Sequence, residues 1–231
     1  MKRILLILFL FLTSCEKEFD DGFRVFTINK GEHRSGTYLQ NKVNGNAITF
    51  QVILDESAIY DFSTPGNPTP QDQHDVNKIY GFSDFGQLHQ ESSIRLGWTY
   101  FSYDKGPHKA GELWFRWLRH AWGQHRGGPL MEIEPNEVYT VTIRKWLTQY
   151  EFIINGSSFL VERDIEQNRM LDWIDSYYLY PYFGGQQKAP HDITIKIKDL
   201  PVDRTNRGKK EKNFVKKTWK SKKSFVSYSI I

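Results

Sequence analysis

The 231-residue chain predicts an all-β fold, a sandwich or a barrel, and three observations carry that expectation. Apolar side chains recur with a period of two over most of the body. Turn signals interrupt the alternation at short intervals. Aromatic residues reach 15%, with 7 Trp, 12 Tyr and 16 Phe, enough to fill a core and still supply a binding face.

The elements follow in chain order. Residues 63–75, "STPGNPTPQDQHD", form a polar loop with three prolines. In "SSIRLGWTYF" (92–101), Ile94, Leu96, Trp98 and Tyr100 share one face, with Arg95 and Thr99 on the other. In "GELWFRWLRHAW" (111–122), Leu113, Phe115 and Trp117 share one face, and Glu112, Trp114, Arg116, Leu118 and His120 the other. "VYTVTIRKW" (138–146) groups Tyr139, Val141 and Ile143. "YEFIINGSSFLV" (150–161) follows, with Asn155-Gly156 as the turn between two strands. Residues 162–178, "ERDIEQNRMLDWIDSYY", are the one helix candidate and read equally as loop plus strand. "HDITIKIKDL" (191–200) points Ile193, Ile195 and Ile197 inward and Thr194, Lys196 and Lys198 outward.

Before that last strand runs "YPYFGGQQKAP" (180–190). Gly184-Gly185 permits backbone angles closed to other residues, and Pro190 drives Ala189 towards extended geometry. On the architectural reading, Tyr180, Tyr182 and Phe183 close one end of the core, and His191 or Asp192 caps a turn. On the functional reading, Tyr180 or Tyr182 lines a site.

The leader "MKRILLILFLFLTSC" has Lys2 and Arg3 before an apolar run too short for a permanent span. Leu12-Thr13-Ser14-Cys15 resembles the bacterial lipobox. In lipoproteins the signal is cut before the cysteine, whose thiol takes a diacylglycerol and whose amine is acylated. Cys15 is the only cysteine in the chain, and lipidation explains it. The resemblance implies a signal peptide at 1–14, a lipidated Cys15 with a linker at 15–35, and an envelope location. That location is outer membrane, periplasmic or surface-exposed. The acidic run Glu16, Glu18, Asp20 and Asp21 resembles the surface-export signal of some outer-membrane lipoproteins, and also fits a solvated linker.

Charge divides along the chain. Residues 201–231 hold eight Lys and two Arg against Asp203 and Glu211, a tail of +8. Removing the tail and the two leader cations from the net +4 leaves the body near −6. The tail is expected to be a disordered charged extension, with acidic glycan or lipopolysaccharide as a secondary contact. Nucleic acid is excluded as a partner of an exported lipoprotein, and a monomer is expected.

The candidate site lies on the outward face of 112–120. Trp114 suits stacking on a sugar, Arg116 suits bidentate recognition of a carboxylate or sulfate, and His120 suits general-base work. The competing reading buries Trp114 between the sheets. The seven histidines (His33, His74, His89, His108, His120, His125 and His191) show no zinc spacing, so no cofactor is expected. Glu132 and Glu134 stand two apart, but Pro135 follows directly and no third carboxylate keeps that spacing.

The pair "VYTVTIRKW…YEFIINGSSF" resembles the hairpin of concanavalin A-like lectin and glucanase domains. The resemblance covers roughly 40–200 and implies a two-sheet jelly roll, one domain over 36–200, with room for a structural calcium. "NKIYGFSD" (77–84), "SSIRLGW" (92–98) and "YPYFGGQQKAPHDITI" (180–195) together resemble a family of small bacterial sandwich proteins without assigned activity. The expected function is a lipid-anchored, lectin-like domain that binds a glycan non-catalytically through Trp114, Arg116 and His120. One alternative is a polysaccharide lyase using Tyr180 or Tyr182 with His120 and Arg116. The other is an envelope protein that contacts protein partners and holds no small ligand.

Overall fold

The alternation of apolar and polar residues resolves into two stacked antiparallel sheets, a jelly-roll sandwich. The computed structural model describes residues 19–36, 41–62, 70–163 and 176–202. The first sheet is built from β1 (Phe19–Asp20), β2 (Phe23–Ile28), β3 (Ala47–Leu54), β8 (Tyr139–Lys145), β9 (Gln149–Ile154), β10 (Ser157–Glu162) and β12 (Ile193–Leu200). Its order is β1-β2-β12-β3-β8-β9-β10. The second holds β4 (Asn77–Ser83), β5 (Ser92–Tyr100), β6 (Leu113–Ala121), β7 (Gln124–Ile133) and β11 (Tyr178–Leu179), in the order β11-β4-β5-β6-β7.

The core lies between them. Phe50, Val52, Val141, Ile143, Phe152, Ile154, Ile193, Ile195 and Ile197 come from the seven-stranded sheet. Ile94, Leu96, Trp98 and Phe115 face them from the other. Each of these side chains is 0% exposed, and burying one fully is worth roughly 1.5–3 kcal/mol. The one polar atom of Trp98 is satisfied, its Nε1 donating to Ala58 O at 3.1 Å. Asn155 (φ 46) and Gly156 (φ 90) make the tight turn between β9 and β10, the left-handed pair that matches hairpin twist.

Three features depart from the expectation. The segment read as linker already belongs to the sandwich, because β2 pairs with β12 over Arg24–Ile28. The sheet therefore begins before residue 36. The 63–75 loop ends in a 3-10 turn over Pro70–His74, and its residues 63–69 lie outside the described residues. The helix candidate at 162–178 loses its C-terminal end to β11, and 164–175 lie outside the described residues. So do Cys15 and the tail from 203.

The sheets are tied by a buried charged network. Asp84, just past β4, is 0% exposed. It accepts from Lys145 Nζ of β8 (2.9 Å), from Arg163 Nε and Nη2 after β10 (2.7 and 3.0 Å), and from Tyr150 Oη of β9 (2.5 Å). Burial alone would raise the Asp84 carboxyl; Lys145 and Arg163 outweigh it and hold the group below its usual 3.8.

Candidate functional site

The five-stranded sheet turns one face to the core and the other outward. Cross-strand register assigns the outward set. Ser93 stands opposite His120, Arg95 opposite Leu118, Gly97 opposite Arg116, and Thr99 opposite Trp114. Lys78 joins them opposite Gly97, and Gly81 opposite Arg95. Trp114, Arg116 and His120 therefore share the outward face, and Trp114 is only partly buried.

A cleft of about 440 Å³ opens over one end of this face. Three cations line it: Arg34, Lys78 and Arg95. Two imidazoles, His89 and His120, and four phenols, Tyr177, Tyr178, Tyr180 and Tyr182, complete most of the wall. Among the described residues that line it, none is a carboxylate. A cation-lined cleft with low-dielectric walls focuses positive potential.

The loop 180–190 builds the wall beside Lys78. Tyr182 and Lys78 exchange backbone hydrogen bonds (2.8 and 2.9 Å). The Tyr182 ring stacks on His33 (centroids 5.1 Å, 11° between planes), and Lys78 Nζ stands 5.3 Å from its centre. Lys78 Nζ also donates to Gly184 O. Gly184 adopts φ +67, and a Cβ there would meet Gln187 O at 2.3 Å. Gly184→Ala is thus expected to lose about 1–2 kcal/mol from the backbone angle alone, with more from the clash. Urea denaturation measures it, and unchanged stability would contradict this account.

Tyr180 behaves differently. It is 5% exposed, with its ring against Phe26 and Tyr80 at 5.8 and 5.6 Å, so it serves the core more than the cleft. Phe183 is fully buried against Tyr60. Asp192 caps the neighbouring turn by accepting from Lys30 N at 2.7 Å, while the ring of His191 meets Ser57 O through Nε2. The stretch is thus largely architecture, and it also lends Tyr182, Gly184, Gly185 and part of Tyr180 to the cleft wall.

The hydrogen bonds fix one imidazole. Ser93 Oγ donates its single proton to His89 O at 2.7 Å. Its 3.2 Å contact with His120 Nδ1 then needs Nδ1–H as donor. His120 Nε2 is left as the lone-pair nitrogen. Burial, then Arg95 and Lys78, lowers His120 to about 4, so it is neutral at neutral pH. His89 is lowered by burial and by Arg95 and Arg34. Its backbone N–H donates to Tyr177 Oη at 2.9 Å, and its Nδ1 lies 3.2 Å from the same oxygen. Lys78 is lowered to about 8, chiefly by burial and then by Arg95.

Arg116 does not line this cleft. The cations that accompany His120 and Tyr182 are Lys78 and Arg95, whose roles the sequence pattern did not single out. Alternation puts Arg95 on the outward face, but only the register across β4, β5 and β6 brings it beside His120. Among the described residues no group of three or more His, Cys, Asp or Glu is placed to hold a metal.

The chain matches no family model and no curated protein. Solved structures similar to it include alginate lyase AlyC3, 14% identical with TM-score 0.48, over 77% of this chain and 74% of that one. The catalytic domain of an endo-1,3-beta-glucanase (laminarinase) from Thermotoga petrophila RKU-1 is 11% identical, with TM-score 0.42, over 80% and 79%. The alginate lyase from Alteromonas sp. 272 is 9% identical, with TM-score 0.43, over 82% and 92%.

Proposed function

We propose that the cleft binds an acidic polysaccharide, its carboxylates or sulfates held by Lys78, Arg95 and Arg34 and its sugar rings by the tyrosines. The observation that carries this reading is the lining itself: three cations, two imidazoles and four phenols, with no carboxylate among the described residues. Desolvated Arg and Lys bind oxyanions through charge-assisted hydrogen bonds, and arginine adds a planar fork. A lipid anchor at the cell envelope is part of the same proposal, supported by the lipobox-like leader. That part of the reading rests on residues 1–15 alone.

The test is native gel retardation in alginate, polygalacturonate and chondroitin sulfate, with neutral laminarin as the control. Retardation by an acidic polymer, weakened by added salt and by the exposed-site variant Arg34→Ala, is expected. Equal retardation by laminarin, or none by any acidic polymer, would overturn the reading.

One observation favours a second reading, a lyase. His120 is neutral, with Nε2 as its basic nitrogen, in the same cleft as Tyr182 and the cations. With Arg95 and Lys78 neutralising a uronate carboxylate, Nε2 would take the proton from the α-carbon. The released pair forms the double bond to the β-carbon as its bond to the glycosidic oxygen breaks, and the Tyr182 phenol protonates that leaving oxygen. Ultraviolet absorbance of the unsaturated sugar reads this reaction. His120→Ala abolishes it and Ser93→Ala slows it. Gel retention without absorbance leaves binding as the activity.

A further inference from the structure

The outward face carries a second group of cations and rings beside the cleft, towards the Trp114 end of β6; its Arg116 and the cleft's Lys78 both stand opposite Gly97, two strand spacings or roughly 10 Å apart. Trp114 and His120 are six residues apart on one face of that strand, roughly 20 Å at strand rise. Trp114 is held in place: its Nε1 donates to Glu112 Oε2 at 2.8 Å, and the His108 ring meets it edge-on at 4.6 Å. From there rings run continuously through Phe101 and His74 to Tyr103, with centroid separations of 4.1, 5.0 and 4.6 Å. Lys105 Nζ stands 3.2 Å from His74 Nδ1.

Arg116 sits in this group. Its Nε is buried and has no hydrogen-bond partner, and the same holds for His74 Nε2. A buried polar atom left unmatched is costly, and His108 Nδ1 is a third such atom in this group among the described residues, which favours a polar ligand here. Glu112 is the acid nearest the ring run, and it is already engaged by Trp114 and stands 3.6 Å from His108 Nδ1.

We propose that Arg116, His74 and Lys105, beside the Trp114 platform, form a second subsite for an acidic sugar of the same polymer that occupies the cleft. The inference rests on the acidic-polysaccharide reading and deepens it. The protein then recognises an internal stretch of chain rather than a terminal sugar, and affinity requires a minimum length. The Arg116 guanidinium supplies the donors for that sugar's carboxylate or sulfate, and the indole supplies stacking for its ring.

The experiment is calorimetric titration of the full chain with alginate, galacturonate and chondroitin sulfate oligomers of defined length, from disaccharide to octasaccharide. In the series that binds, affinity is expected to rise at least tenfold once the oligomer spans both sites. Arg116→Ala and Lys105→Ala are expected to erase that rise and leave the disaccharide unchanged. Lys105 is exposed, so its variant reads the subsite without threatening the fold. Disaccharide affinity already equal to that of the octasaccharide would overturn the second subsite alone. Arg116→Ala and Lys105→Ala weakening all lengths equally would do the same. No binding of any length in any series would overturn the acidic-polysaccharide reading itself.

Discussion

Asp84→Ala is expected to destabilise the protein by about 3–5 kcal/mol, the cost of breaking a buried ion pair by removing one partner. Lys145 and Arg163 would remain in the interior with their carboxylate gone, and the Tyr150 phenol would lose its acceptor. Tyr150→Phe removes a single hydrogen bond and should cost about 1–3 kcal/mol. Guanidinium denaturation of both variants checks the ranking, and an Asp84→Ala loss no larger than that of Tyr150→Phe would contradict the account. The same carboxylate sets an acid limit. Its folded pKa lies below the ordinary 3.8, so its contribution is complete above the unfolded value and is lost as pH falls through the folded one. His120, held near 4, erodes stability earlier. The unfolded imidazole takes up a proton near 6.5 while the folded one resists, so stability declines from about pH 6.5 downwards.

Lys78→Met is expected to weaken binding of an acidic polysaccharide by tenfold or more, since one charge-assisted hydrogen bond carries about 1.5–3 kcal/mol. The wild-type protein should bind less tightly as pH rises. Lys78 titrates near 8, so between about pH 7 and 9 its ammonium loses the proton that attracts the ligand. A bound anion favours that proton and moves the fall to slightly higher pH. The variant has no such group and should show a flatter profile. Titration of both proteins at constant ionic strength separates the outcomes. Parallel pH profiles for the two would show that Lys78 does not hold the anion.

The sequence disclosed the fold best where one face is buried. Ile193, Ile195 and Ile197 alternate with Thr194, Lys196 and Lys198 because one side of β12 packs on the core. Asn155-Gly156 betrayed its hairpin because few other residues accept that turn. The pattern failed at β7, an edge strand carrying Gly127, Gly128 and Pro129, where the register shifts against β6. A proline survives there because an edge strand has no second neighbour awaiting its N–H. At β5 alternation assigned the faces, but it did not show that the outward residues Ser93, Arg95 and Thr99 are buried as well.

The candidate site was half legible for a related reason. Strand alternation alone put Trp114, Arg116 and His120 on one face. Which cation stands beside His120 depends on the pairing of β4, β5 and β6, and on the Tyr182 loop meeting Lys78, and neither is a local property of the chain. Asp84 was hidden for the same reason: its partners Lys145 and Arg163 are 61 and 79 residues away.

The pairing of β2 with β12 has a mechanical consequence. Arg24 lies opposite Ile197, and Lys198 Nζ donates to Asp21 O at 3.0 Å, so the polypeptide enters and leaves the sandwich at one corner. Opposite pulls on the two exits would unzip this strand pair bond by bond rather than shear it. A load taken in the cleft and resisted only at the leading exit would instead cross the body between the sheets, where the Asp84 network acts as the rivet.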